Sequence, residues 1–320
     1  MLISPSTPPG VPGAGIKETT EMIRVKKFLN RPKTAAWVFI LPTILCLLVF
    51  NVVPLLSAVV MSFLNIDIFM NNVSVAGFDN FLELVGDSRF WNALRNTVYF
   101  TLVSVPLSTT LSLLVATYVQ RATFFRKSLR SIYYLPVICS MTAVSIVWAI
   151  LLDPTIGVVP YATRVLGFGD HLFLKDPQMA MPLVIIMSIW KSFGVNMVIF
   201  VASLLSIPDD YYEAANLDGA SKIQQFFGIT LPLIIPTLGF CLITSTIGSF
   251  MVFDQTYIMT NGGPMFRTET IAQYIYMRAF KISPFRLGYA TAIAQVLFII
   301  IAMISMLMYR FFIKRETEQG

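Results

Sequence analysis

Hydrophobic positions along this chain neither alternate nor recur as narrow stripes; they run on without interruption. A helix needs about 20 predominantly apolar residues to cross the hydrocarbon of a bilayer, and six windows of that kind stand out. Thr34 to Ile66 has no charge and exceeds one crossing, with Pro42 and Pro54 placed to kink it or let its end leave the hydrocarbon. Thr97 to Gln120 and Ser131 to Leu152 follow. The fourth, from about Met179 to Leu205, holds one charge, Lys191, near its middle. The fifth lies within Leu231 to Phe253 and the sixth within Leu287 to Tyr309. The pattern predicts an all-α integral membrane protein with six transmembrane helices: a tail over 1–34, a membrane domain over 35–309 and a second tail over 310–320.

Composition agrees, since 56% hydrophobic and 12% charged residues lie outside the range of soluble domains. The net charge of +6 does not point to nucleic acid, because the basic residues flank the apolar spans instead of forming a face with interleaved aromatics. They report orientation. Cytosolic loops retain Lys and Arg; connections on the side of the two termini hold fourteen, those on the other side eight. Both termini and the loop between the fourth and fifth spans are therefore expected in the cytosol. The basic start reads as a cytosolic tail before a retained span, since its apolar run is far longer than that of a cleaved signal.

That fourth loop is a polar island, Glu213 to Pro232, between two apolar spans. Ser206 is a candidate cap, Pro208 suits a first turn, and Asp209 and Asp210 suit a helix N-terminus. Gly219 can take the left-handed conformation that ends a helix, and Ser221 with Gln224 has capping-box spacing. Gly228 and Pro232 mark the turn into the fifth span. Two short helices result, with small residues Ala214, Ala215, Gly219 and Ala220 where another surface can approach. Two readings stand on this pattern: a helix seated in a partner's groove, or an amphipathic loop on the membrane surface.

Glu213, Ala214 and Ala215, then Gly219, then Ile229, Leu231 and Pro232 keep the spacing EAA, three residues, G, nine residues, I, any residue, LP. The island resembles the EAA loop of ABC importer permeases. GFDNFLELVGDSRFWNALRNT (Gly77 to Thr97), TNGGP (Thr260 to Pro264) and the stretch around Gly288, Tyr289 and Ala290 are similar to the carbohydrate branch, the maltose-type first permease subunit above all. The resemblance implies the type I permease fold, with a coupling loop over 207–230 whose Glu213, Ala214, Ala215, Asp218 and Gly219 engage a cleft of the ATPase. It implies a heterodimer with a second permease, two ATPase subunits that hold ATP and Mg, and an extracytoplasmic sugar-binding protein. No cofactor is expected on this chain. Import of a sugar or related polyol by alternating access across a bacterial-type cytoplasmic membrane is the implied activity.

Candidate solute contacts lie deeper. A lysine at membrane depth costs about 2.5 to 3.5 kcal/mol on insertion scales, so Lys191 is expected to face a cavity, a partner or the interface. Ser188, Ser192 and Asn196 share a helical face by their i, i+4 steps, and Ser245, Ser249 and Asp254 form a second stripe on the fifth span. Either stripe lines a passage for a hydroxyl-rich solute or packs on neighbouring helices with its hydroxyls bonded to backbone carbonyls. By the resemblance, Ser188, Ser192, Ser245 and Ser249 fall close to sugar-contacting positions, with hydroxyls or apolar groups replacing amides or rings. Trp148 and Trp190 read as sugar-stacking faces or membrane anchors. Asp254 and Lys191 form a candidate ion pair.

No phosphate-binding G-x-x-x-x-G-K-[S/T] loop occurs. Gly10, Gly13 and Gly15 sit in a Pro-rich linker. Cys46, Cys139, Cys241 and the lone His171 have no metal-ligand spacing, and the cysteines are expected to be buried free thiols acting as small hydrophobes. Two other classes compete: an ion-coupled secondary transporter, which requires broken helices and ion ligands at mid-membrane, and a membrane-embedded enzyme, which requires a catalytic constellation.

Overall fold

The computed structural model describes residues 32–70, 73–121 and 126–312. The expected N-terminal tail up to residue 31 and C-terminal tail from residue 313 lie outside the described residues. The chain divides into two compact units, Met1–Val60 and Met61–Gly320.

In the first unit, α1 (Pro32–Leu47) passes through a π turn (Leu48–Val52) into α2 (Val53–Met61). Pro54 has no N–H to offer the carbonyl of Phe50, and the wider turn absorbs that lost bond. None of the residues Phe39–Met61 is buried.

The second unit opens with a short antiparallel pair, β1 (Leu64–Asn65) and β2 (Ser74–Val75). Helices α3 (Asp79–Gly86), α4 (Ser88–Arg121), α5 (Arg126–Ile138), α6 (Met141–Leu151) and α7 (Val158–Val165) follow. Next come α8 (Ala180–Leu205), α9 (Asp210–Leu217), α10 (Lys222–Gln225), α11 (Leu231–Leu233) and α12 (Ile235–Phe250). The chain closes with α13 (Asp254–Thr260), α14 (Ile271–Tyr276) and α15 (Leu287–Phe312).

Four stretches, Phe39–Met61, α4, α8 and α15, are long and apolar enough to cross a membrane, and there are up to six spans if each bent pair counts as one. The bent pairs fall in the windows expected for the third and fifth spans and show each of them broken. α5 and α6 meet at 90° across Cys139 and Ser140, and the Lys222–Leu233 segment meets α12 at 67°. Pro136 near the end of α5 and the extended backbone of Ser140 (ψ 136°) stop the first helix; Pro232 and Pro236 flank the second break.

α8 is the central element, packed along α4 and against α5 and α12. Small residues allow the approach. Ser112 Oγ lies 2.6 Å from Ser108 O and 2.8 Å from Phe193 O, one hydroxyl serving both helices. A Cβ at Gly194 would collide with the carbonyl of Tyr133, so α8 lies directly on the α5 backbone. At one end Ala116, Met197, Phe200, Leu204 and Ile234 form a fully buried cluster; at the other, Phe90, Ile271, Tyr274, Tyr289 and Ile293 form another.

Around the second cluster runs a polar lattice. Asp87 Oδ1 accepts from the amides of Arg89 (2.9 Å) and Phe90 (3.3 Å) at the start of α4, and Oδ2 accepts from Tyr274 (2.5 Å) and Tyr289 (2.6 Å). Arg89 makes a two-point pair with buried Glu269 at 2.8 and 2.7 Å, and Asn92 and Asn96 donate to Phe266 O. These bonds fasten the segment 261–286 to the start of α4.

Candidate functional site

Two polar features are built on this frame. The first is the loop between α8 and α12. α9 ends in a Schellman arrangement: Ala220 N donates to Ala215 O (2.9 Å), Gly219 N donates to Asn216 O (3.1 Å), and Gly219 takes φ +78°, which glycine adopts without cost. Ser221 and Gln224 form a reciprocal capping box at the start of α10. Ser206 does not cap α9, which starts at Asp210 with Asp209 ahead of it; its hydroxyl bonds back to Ser203 O at 2.7 Å and closes α8.

The two short helices are held to each other by amides. Gln225 Nε2 donates to Asn216 Oδ1 (2.7 Å) and Ala220 O (3.1 Å), and Tyr212 meets Thr230 at 2.9 Å between the hydroxyls. The inner side, with Tyr212, Lys222, Gln225 and Thr230, borders a cavity of about 590 Å³ that Thr117 and Gln120 of α4 also line. The outer side presents Glu213, Ala214, Asp218 and Gly219, all exposed, with Ala215 half-buried. Leu217 is 90% exposed and Ile223 72%, large apolar groups left uncovered among the described residues.

The second feature is a cavity of about 350 Å³ where α4, α6, α8, α12 and α13 meet. Ser188, Ser192 and Asn196 enter it from α8, and Ser245 and Ser249 from α12. Both stripes thus face one space. Asn196 Nδ2 donates to Ser245 Oγ (2.9 Å), and Ser249 bonds with Thr101 (2.9 Å). Ser188 and Ser192 also donate to the carbonyls four residues earlier, both at 2.7 Å. A hydroxyl that donates keeps its acceptor lone pairs, so backbone bonding and cavity lining are compatible here.

Lys191 and Asp254 are placed elsewhere. Lys191 Nζ donates to Val137 O at 3.2 Å, on the α5 side of α8, and Asp254 is exposed at the first turn of α13. The expected Lys191–Asp254 pair is not among the ion pairs of the described residues; Lys191 is taken up by the Val137 carbonyl instead. Trp148 and Trp190 pack on each other, centroids 5.8 Å apart. Sequence reasoning passed over Ser104 and Ser108 of α4, which line the same cavity; their four-residue step, continued by Ser112, carried the same signal as 188–192–196. Gln255, which approaches Ser188 at 3.4 Å, had no such signal.

Electrostatics concentrate at the α4 start. Burial opposes the charge of Asp87, but the hydroxyls of Tyr274 and Tyr289 and the amides of Phe90 and Arg89 outweigh it and hold the carboxyl below its ordinary 3.8. The Arg286 guanidinium bonded to Glu83 holds that carboxyl low as well. Burial first, then the bond to Asp87, pushes the Tyr274 phenol far up, so it stays a donor. Among the described residues no group of three or more His, Cys, Asp or Glu is placed to hold a metal ion.

Comparison with known proteins places this architecture. Residues 84–318 match the family model described as binding-protein-dependent transport system inner membrane component. The probable ABC transporter permease protein YesP of Bacillus subtilis (strain 168) is 33% identical over 295 residues, covering 91% of this chain and 94% of that protein. The lactose transport system permease protein LacF of Rhizobium radiobacter is 33% identical over 305 residues, covering 94% and 99%. Among solved structures, a bacterial ABC transporter involved in the import of the acidic polysaccharide alginate superposes with a TM-score of 0.78 at 26% identity, covering 90% of this chain and 98% of that one. None of these supports an ion-coupled carrier. With its membrane-length helices, broken spans and apposed polar stripes, the chain belongs to the family of binding-protein-dependent transport system inner membrane components, the permease subunits of ABC importers.

Proposed function

We propose that this chain forms half of the solute path of a carbohydrate importer, with the cavity among α4, α8 and α12 as its solute contact. The observation that carries this reading is the convergence of Ser188, Ser192, Asn196, Ser245 and Ser249, from helices far apart in sequence, on one space where hydroxyl and amide groups stand among Phe100, Val105, Met141 and Val195, with no ionised side chain in the lining. Such a lining exchanges hydrogen bonds with a neutral polyhydroxyl solute, a sugar or related polyol. The relative named for lactose transport supports the class.

The loop over 207–230 is the receiver of ATP-driven motion. Its outer face, with Glu213, Ala214, Asp218 and Gly219 beside exposed Leu217 and Ile223, suits a cleft on an ATPase subunit, and its inner face is tied through Tyr212–Thr230 to the approach of α12. ATP and Mg belong to two such subunits, which lie in the cytosol with both termini of this chain. A second permease completes the path, and an extracytoplasmic binding protein delivers solute by alternating access. Lys191 and Asp254 are not solute contacts in this reading.

The experiment is uptake by the assembled complex in proteoliposomes, with the solute chosen by a thermal-shift screen of sugars on the binding protein. Ser192→Phe, which fills the cavity, is expected to abolish uptake while assembly and basal ATP hydrolysis persist. Glu213→Ala is expected to keep assembly but lose uptake and solute-stimulated hydrolysis. Undiminished uptake with Ser192→Phe would remove the cavity from the path, and coupled uptake with Glu213→Ala would remove the loop from coupling.

A further inference from the structure

Inside a bilayer, a helix that stops leaves its last carbonyls without water, and neighbouring groups must satisfy them. α5 stops in this way after Ile138, where the third span turns through 90°. Its last two turns meet α8. Lys191 Nζ donates to Val137 O at 3.2 Å, Gly194 lies against Tyr133 O, and the rings of Phe193 and Tyr133 meet at 6.0 Å. On the other side of the break, Trp190 packs on Trp148 of α6 at 5.8 Å. One turn of α8 therefore holds both arms of the broken span. The same turn carries Ser192 into the cavity between α4, α8 and α12, whose wall includes Met141, the first residue of α6.

We infer that Lys191 is a positioning residue: its ammonium sits at the carbonyl end of α5, fixes the break in the third span and thereby sets the cavity wall at Met141. A cation suits that end because the helix dipole and its unpaired carbonyls are negative there. The lysine supplies from within the chain the positive charge that a bound ion supplies at broken-helix ends in ion-coupled carriers. It acts on transport through α5 and α6, without touching solute. The wall it sets is the solute cavity of the proposed function; the break itself does not depend on that reading.

Of the three cysteines expected to be buried only Cys241 is; Cys46 is exposed, and Cys139, exposed inside the break, is a native reporter. In membranes containing the assembled complex, with Cys46→Ser and Cys241→Ala so that Cys139 is the sole thiol of this chain, the rate of N-ethylmaleimide labelling is measured without solute. Lys191→Met is expected to label severalfold faster than the parent, and Lys191→Arg, which can still donate to Val137 O, at close to the parent rate; uptake falls in the first and recovers in the second. Equal labelling of parent and Lys191→Met overturns the inference, and so does failure of Arg to restore the rate. A residue that only contacts solute would change uptake and leave labelling unmoved. If Lys191→Met does not accumulate in the membrane, Gly194→Ala, whose methyl pushes on Tyr133 O, is the second test, and labelling unchanged there overturns the inference equally. Labelling is read on this chain whether or not a sugar is imported, so its outcome is separate from that of the uptake experiment.

Discussion

Asp87 ties three helices with one carboxylate: it caps α4 through two amides and receives hydroxyls from α14 and α15. Hydrogen bonds to a charged acceptor contribute about 1.5 to 3 kcal/mol each in favourable settings, and removal of the charge is expected to cost about 2 kcal/mol at neutral pH. The sign of the pH dependence follows from the lowered carboxyl. Its contribution is complete above the ordinary 3.8 and is lost as pH falls through the lower folded value. Glu83, lowered by Arg286, acts in the same direction. Thermal unfolding of the purified chain is thus expected to show Asp87→Asn well below the parent at pH 7, with the gap closing as pH is lowered past the carboxylate range. A gap constant with pH would mean that the charge contributes nothing. None of this was legible in the sequence, because the tyrosines that hold Asp87 are 187 and 202 positions away.

At the scale of elements, α15 meets the β1 hairpin through Gly288, whose amide donates to Ile66 O at 3.2 Å and whose α-carbon leaves no room for a Cβ beside the Leu64 carbonyl. Gly288→Ala is expected to cost about 1 to 3 kcal/mol through forced backbone displacement, read as a lowered thermal midpoint. Gly86→Ala, where a methyl meets nothing, is the matched control and should not lower it. The loop of α9 and α10 was legible in the sequence because its signals are local: Gly219 ends one helix and Ser221 with Gln224 begins the next within a few residues. Ser206 was misread for the same reason in reverse, since a serine between two helices can serve either, and contact with Ser203 O decides. Of the prolines beside the breaks in the third and fifth spans, only Pro232 was read in the sequence, as the turn into the fifth; Pro136 and Pro236 were passed over, and a proline states that a helix is weakened there and not by how far it turns.

Across the whole molecule, the Lys and Arg asymmetry predicts which side of the membrane each loop faces. Fusions of an enzyme active only outside the cytosol are expected to be active after residue 170 and inactive after residue 320; activity at the C-terminal fusion would invert the topology and with it the assignment of the 207–230 loop to the ATPase side. The apolar spans, this charge bias and the two-helix island are legible along the chain, because hydrophobic run length, flanking charge and turn chemistry are each carried by neighbouring residues. The sequence by itself also determined that Ser188, Ser192 and Asn196 share a face, since helical phase is local. Only the tertiary structure decided that this face and that of Ser245 and Ser249 look onto one cavity, and that Lys191, one residue from Ser192, turns the other way to the end of α5. Periodicity gives a helix its faces, and the packing of distant segments decides what each face meets.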